Sequence, residues 1–278
     1  MTWKTLTTFV TDMTLDANAL DAAVTLARRF DAHLDVLCLG IDLTQPEVYY
    51  TGAQAIALPG AMEEADRHAK TLETAVKQKL DGTDIRWSVS AVATPIVGVS
   101  ATVSDAARFS DLVIAARPYG EGRGTPQVQI VESALFGADA RVLVIPDDAM
   151  PEKFDHVALA WNDSPEAMRA MRAALPVMQA ASETEIVIVD PPRHGPDRSD
   201  PGGRLAQLLA RHGVTASIRI LARTMPSVSD VLTQHVEDSG TDLLVMGSYG
   251  HSRLRESILG GATRNMLEHA KVPVLMVH

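Results

Sequence analysis

Four glycines, Gly247, Gly250, Gly260 and Gly261, bracket a loop that carries His251, Arg253 and Arg255. The apolar run "DLLVMG" enters this loop, and a helical pattern leaves it at about residue 261. Glycine admits positive φ and lets a ligand approach the main chain closely. The unpaired amides of a helix N-terminus, aided by the helix dipole, favour phosphate. A strand end on one side and a helix start on the other therefore suit an anion held mainly by backbone N–H groups. Ser248 and Thr263 supply hydroxyls that serve either as phosphate ligands or as helix caps. The same glycines also read as turns closing a strand-to-helix loop, with His251 and the two arginines solvated or paired with Glu256.

Other chemistries leave no trace. There is no G-x-x-x-x-G-K-[ST] and no G-x-G-x-x-G after an N-terminal strand. No G-x-S-x-G elbow occurs, and no His/Cys cluster has zinc spacing. Neither a general base nor dedicated metal carboxylates stand out near the glycine loop, so we expect no catalytic residues and no metal site of the protein's own.

The elements that must position this loop recur twice along the chain. Short apolar runs at 7–11, 33–39, 86–92, 111–116 and 141–146 alternate with helical patterns near 15–30, 60–80, 95–108 and 127–138. The order restarts at 154, with runs at 156–161, 185–190, 215–221, 242–247 and 273–278 between helices near 164–181, 202–212, 226–238 and 261–270. Such alternation predicts an α/β fold of two tandem, open, doubly wound five-stranded parallel sheets with helices on both faces. "SDLVIAA" resembles "TDLLVMG", and "ARVLVIP" resembles "VPVLMVH", which marks a domain duplication. Asp12 lies 150 positions before Asn162 but Asp111 only 131 before Asp242, so the first half carries 19 extra residues. They are expected near 40–60, where "VYYTGAQAIALPG" is apolar enough to cover a pocket or to pack as a crossover. The boundary falls in "PDDAMPEKFD", giving domains 1–149 and 150–278.

Composition narrows the partners. The 278 residues are 46% hydrophobic with a net charge of −10, which disfavours nucleic acid as a ligand. No apolar run reaches the length of a membrane span, and the N-terminus has no signal-peptide pattern. The single Cys38 sits in the apolar run "LDVLCLG". A soluble protein of the reducing cytoplasm is expected.

G-x-x-G, nine residues, then G is the spacing at which the universal stress protein family binds nucleotides, and "GSYGHSRLRESILGGATRNMLEHAKVPVLMVH" resembles that family's C-terminal third. The resemblance extends over both halves, as in tandem universal stress proteins. It implies an adenine nucleotide, ATP, with Mg²⁺ carried by the nucleotide. Ala160, Trp161 and Asn162 would end the first strand of the second half, Val189 would flank the adenine, and Met246 and Gly247 would line the ribose. Gly250, Gly260, Gly261, Ala262 and Thr263 would surround the phosphates. Two positions depart from the family. Its ribose-side aspartate falls on Asn162, which loses the charge, and Gly261 stands where Ser or Thr is usual. In the first half Asp12 keeps the turn position, but Pro118 and Pro126 interrupt the loop and the glycine spacing is lost.

The resemblance implies a stress-type regulatory protein that binds nucleotide in its second half, with at most weak ATPase activity. The alternatives are a nucleotide-independent interaction protein and a binder of another small ligand. Relatives pair through their last strands, and "ARVLVIP" and "VPVLMVH" are too apolar for open edges. Residues 141–145 and 273–277 are therefore expected to pair antiparallel as an intramolecular pseudo-dimer, which leaves room for a further homodimer.

Overall fold

Residues 2–44, 60–147, 152–191, 200–248 and 261–278 are described by a computed structural model of the chain. Strands β1 (Thr5–Val10), β2 (His33–Asp42), β3 (Arg86–Pro95), β4 (Leu112–Ala116) and β5 (Val142–Ile145) alternate with helices α1 (Ala17–Phe30), α2 (Ala61–Leu80), α3 (Val99–Ala107) and α4 (Thr125–Glu132). The pattern restarts with β6 (His156–Ala160), α5 (Pro165–Met178), β7 (Glu183–Val189), α6 (Gly203–Arg211), β8 (Ala216–Leu221), α7 (Val228–Ser239), β9 (Leu243–Gly247), α8 (Gly261–His269) and β10 (Val274–Val277). Most of the expected 40–60 insert lies outside the described residues; Gly40, Ile41 and Asp42 of that stretch prolong β2.

All ten strands form one sheet in the order β3-β2-β1-β4-β5-β10-β9-β6-β7-β8. Each half is a parallel five-stranded sheet, and the second repeats the first in mirror order along the strip. The inner parallel strands are covered on both faces, which is why β4 and β9 read as apolar runs, whereas the edge strands β3 and β8 stay partly exposed. One continuous core lies under α1, α2, α5 and α6, and the opposite core lies under α3, α4, α7 and α8. Both cores cross from one half into the other.

The two halves carry matching hydrogen bonds. Asp111 Oδ2 accepts the N–H groups of Lys4 and Thr5 at 2.7 and 3.1 Å. Asp242 Oδ2 accepts those of Asp155 and His156 at 2.8 and 2.9 Å. In each half an aspartate before the fourth strand thus ties down the start of the first strand.

The halves meet where the apolar edge strands led us to expect. β5 and β10 pair antiparallel, with Val144 opposite Val274, Leu143 opposite Leu275 and Val142 opposite Met276. Val113 pairs with Val142 in one half as Leu244 pairs with Val274 in the other, so Val142 and Val274 are equivalent positions. Leu143 and Leu275 are then equivalent and face each other, which puts a local twofold axis through that pair. Both are buried.

Candidate functional site

Strand order reverses between β6 and β9, where β9 lies on one side of β6 and β7 on the other. Ligands of open α/β sheets bind beyond the carboxyl ends of the strands at such a switch point. Ala160 ends β6 and Trp161 and Asn162 follow it, Val189 ends β7, and Met246 and Gly247 end β9, so six of the expected residues lie at one edge. Gly261, Ala262 and Thr263 form the first turn of α8. Gly250 and Gly260 lie outside the described residues, as do His251, Arg253 and Arg255. Thr263 is buried.

The turn after β6 is built by side chains. Asn162 Oδ1 accepts the Ser164 N–H at 3.2 Å, and Ser164 Oγ accepts the Ala167 N–H at 3.1 Å. Ser164 thereby caps α5, and Pro165 starts it with a preset φ. Between them Asp163 sits at φ 61°, a left-handed conformation that aspartate adopts more readily than most side chains. In the first half Asp12 Oδ1 accepts the N–H groups of Thr14 and Leu15 at 2.7 and 3.0 Å. Asn162 and Asp12 therefore do the same structural work, and that work requires an oxygen acceptor, not a charge. Trp161 packs half-buried against the core, and its N–H donates to Val187 at 2.8 Å, so it closes the top of that core.

Gly247 serves packing. A Cβ built there would lie 2.6 Å from the Ala167 nitrogen and 2.7 Å from the Glu166 carbonyl carbon. The first turn of α5 rests directly on the end of β9.

Two polar atoms lie beside this edge: one on Ser248, which the sequence offered as a phosphate ligand or a cap, and one on Glu166, which the sequence did not mark. Ser248 is fully buried, and its Oγ finds no partner among the described residues. Its main chain is engaged: the N–H donates to Val277 at 2.8 Å, and the carbonyl lies 3.1 Å from His278 Nδ1. Glu166, in the first turn of α5 beside Gly247, gives Oε1 to Arg169 at 3.0 Å and leaves Oε2 buried with no partner among the described residues. Unpaired buried polar atoms are rare, and each asks for an explanation. The orphan hydroxyl suits a phosphate acceptor; the orphan carboxylate oxygen suits a hydroxyl donor such as ribose.

The corresponding edge of the first half is filled by the chain itself. Arg123, only 6% exposed, holds both oxygens of Asp147 at 2.6 and 3.3 Å and donates to the Leu15 carbonyl at 3.2 Å. Gln127 Nε2 donates to Thr11 Oγ1 at 3.3 Å, while its Oε1 accepts the Gly124 N–H. From the other side α2 rests on Gly40, where a Cβ would lie 1.8 Å from the Ala65 carbonyl oxygen. His68 of α2 lies 3.0 Å from the Thr11 carbonyl.

Asp16 anchors this closed edge. Its Oδ2 accepts the Thr11 N–H at 2.7 Å, the Thr11 hydroxyl at 2.9 Å and the Asp12 N–H at 3.1 Å. Burial pushes its carboxyl above the usual value of 3.8, and these bonds and the Arg123 charge oppose that rise. Asp16→Ala strands two main-chain donors and should cost about 2–3 kcal/mol in urea unfolding. Asp16→Asn keeps an acceptor and should cost less. A raised folded-state pKa gives stability that is complete below 3.8 and fades as pH climbs through the folded value. The gap between wild type and Asp16→Asn should therefore narrow from pH 4 towards neutrality. A gap that widened would contradict the burial of this carboxyl.

Residues 153–278 match the model of the universal stress protein family, and that segment is a domain of the family. A universal stress protein of Synechocystis is 30% identical over 73 residues, which are 26% of this chain and 24% of the relative. One of Methanocaldococcus jannaschii is 44% identical over 41 residues, 15% of this chain and 25% of the relative. The chain thus matches about a quarter of the length of these curated relatives. A universal stress protein structure from Archaeoglobus fulgidus superposes with a TM-score of 0.72 at 16% identity, covering 98% of this chain and 97% of its own. A putative universal stress protein from Pseudomonas aeruginosa gives 0.63 at 12% identity, covering 99% and 93%. These two likenesses show the fold over nearly the whole chain. Among the described residues, no helix is long and apolar enough to cross a membrane.

Proposed function

We propose that the protein is a tandem universal stress protein that binds ATP at the carboxyl edge of its second half and acts as a regulatory nucleotide binder. Domains of 1–149 and 150–278 fit the duplicated hydrogen bonds and the twofold at Leu143 and Leu275. The observation that carries the site assignment is the buried Ser248 hydroxyl, which has no partner among the described residues and lies between the end of β9 and the glycine loop in sequence. Asn162 is no obstacle: its oxygen performs the turn-forming task of Asp12, and Glu166 brings a carboxylate to the same edge. Gly261 lacks a hydroxyl but keeps its amide at the start of α8, where the helix dipole favours phosphate. The first half takes no nucleotide, because α2, His68 and Arg123 occupy its edge. Any Mg²⁺ would arrive with the triphosphate, and hydrolysis is slow or absent.

Calorimetry of the full-length protein with ATP tests the assignment. One site per chain is expected. Ser248→Ala should weaken binding about fivefold, the scale of one net hydrogen bond. Gly250→Val, which adds a side chain where the motif brings phosphate to the main chain, should abolish it. Unchanged affinity in Gly250→Val would remove the site from this loop. Two ATP per chain would reopen the first half.

A further inference from the structure

The loop that follows β4 does more than close its own half. Arg117 Nη1 donates to the Glu268 carbonyl at 3.0 Å, across the junction and onto the last turn of α8. Its Nη2 meets Asp147 at 3.1 Å, the carboxylate that Arg123 also grips. The Arg117 stem packs beside Val144 and Pro146 of its own half and Leu267 and Ala270 of the other. Two residues on, the Tyr119 ring lies 5.2 Å beneath the Arg264 guanidinium of α8, and Arg264 is itself tied to Glu268 at 2.8 Å.

The last carbonyls of a helix lack intrahelical donors, and a cation there complements the helix dipole. Arg117 meets both needs of α8 from another half of the chain. The contact is one-directional. Ile145 accepts the Arg117 N–H as Val277 accepts that of Ser248, so Ser248 occupies Arg117's place in the second half. In the reverse direction the junction carries the edge of His278 on Phe136, ring centroids 4.8 Å apart. The half whose own edge is closed thus supports the helix at whose start the other half's ligand would sit.

We infer that Arg117 and Tyr119 are positioning residues for α8, and that through this helix the first half sets nucleotide affinity in the second. The inference rests on the nucleotide reading for its ligand and on the Arg117–Glu268 and Tyr119–Arg264 contacts for its route. If α8 is in place in only a fraction of molecules, apparent affinity falls by that fraction; Arg117→Met, which keeps the apolar stem, should weaken ATP binding about fivefold. Arg117→Lys, still a cation able to reach a carbonyl, should recover most of the loss. Tyr119→Leu should weaken binding about twofold on the same logic.

The test pairs calorimetry with hydrogen exchange on the intact chain. In ligand-free Arg117→Met, amides of 262–269 should exchange faster while those of 228–239 in α7 hold the wild-type rate. ATP affinity should fall in step, and both should return in Arg117→Lys. Wild-type ATP affinity in Arg117→Met, or unchanged exchange in α8, would overturn the inference. Should the wild-type protein bind no ATP, the nucleotide reading fails and affinity control falls with it. The exchange comparison then decides separately whether the first half holds α8.

Discussion

Leu275→Asp should destabilise the protein by about 4 kcal/mol, the scale of a charge left buried without a partner. Leu275 is fully buried on the local twofold, opposite Leu143, with apolar helices on both faces of the sheet. No described polar side chain of β5 or β10 is near enough in the pairing to receive the carboxylate, since both strands are Val, Leu, Ile and Met throughout. Leu143→Asp should behave alike, because the two positions are equivalent. Phe109→Asp is the control: Phe109 is 76% exposed, and surface changes stay within about 0.5 kcal/mol. The double variant Leu143→Asp/Leu275→Lys separates loss of the junction from general damage. Directly opposed residues interact across an antiparallel pair, so the double change should cost less than the sum of the single ones. Urea unfolding read by circular dichroism supplies these four values and that of Leu275→Lys, the other single change of the cycle. A Leu275→Asp midpoint equal to wild type would mean that this pair does not join the halves.

The junction was legible because of a physical contradiction in the sequence. A parallel half-sheet ends in a strand that must be solvated on its open edge, yet "VLVI" and "VLMV" offer nothing polar to either face. Pairing the two resolves both problems, and antiparallel is the sense that a twofold imposes on equivalent strands. The βα alternation was legible for a similar reason, since the runs are of strand length and the inner ones, such as "DLVIAA" and "EIVIVD", are apolar nearly throughout. Several features that decide the site were not. Nothing in the spacing of Glu166 marks it as a carboxylate with one oxygen unpaired, because its surroundings come from β9, about eighty residues away in sequence. Nor does "RPYGEGRGT" announce that Arg123 will fold back onto Asp147 and Leu15. The glycine-loop residues between Ser248 and Gly261 remain expectations from the motif. A pattern of residue types reports periodicity and turn chemistry, whereas which buried groups find partners is settled by tertiary contacts.

Gly247 shows that difference most sharply. Its sequence context suggests a glycine kept for a ligand, whereas the structure gives its missing side chain to α5. The Cβ of Gly247→Ala would fall within 2.7 Å of main-chain atoms of Glu166 and Ala167. Neither can swing aside. Ala167 is buried, its N–H is held by Ser164 Oγ at 3.1 Å, and Ala170 and Met171 pin the next turn in the core. Relief requires moving the start of α5 or the end of β9, so Gly247→Ala should cost about 3 kcal/mol, the upper range for overpacking a core. The first half offers the counterexample. Ala116 pairs with Ile145 as Gly247 pairs with Val277, so the first half carries an alanine at this register. Gly213→Ala calibrates the backbone contribution, because Gly213 has φ 77° with nothing within 4 Å of its would-be Cβ. It should lose only the roughly 1 kcal/mol of a left-handed non-glycine residue. Stability measured without nucleotide discriminates the two roles of Gly247. A packing role lowers the ligand-free midpoint well beyond Gly213→Ala and lowers ATP affinity as a consequence of the displaced turn. A ligand role leaves the ligand-free protein as stable as wild type and weakens ATP binding alone, and that outcome would return Gly247 to the ribose-lining set.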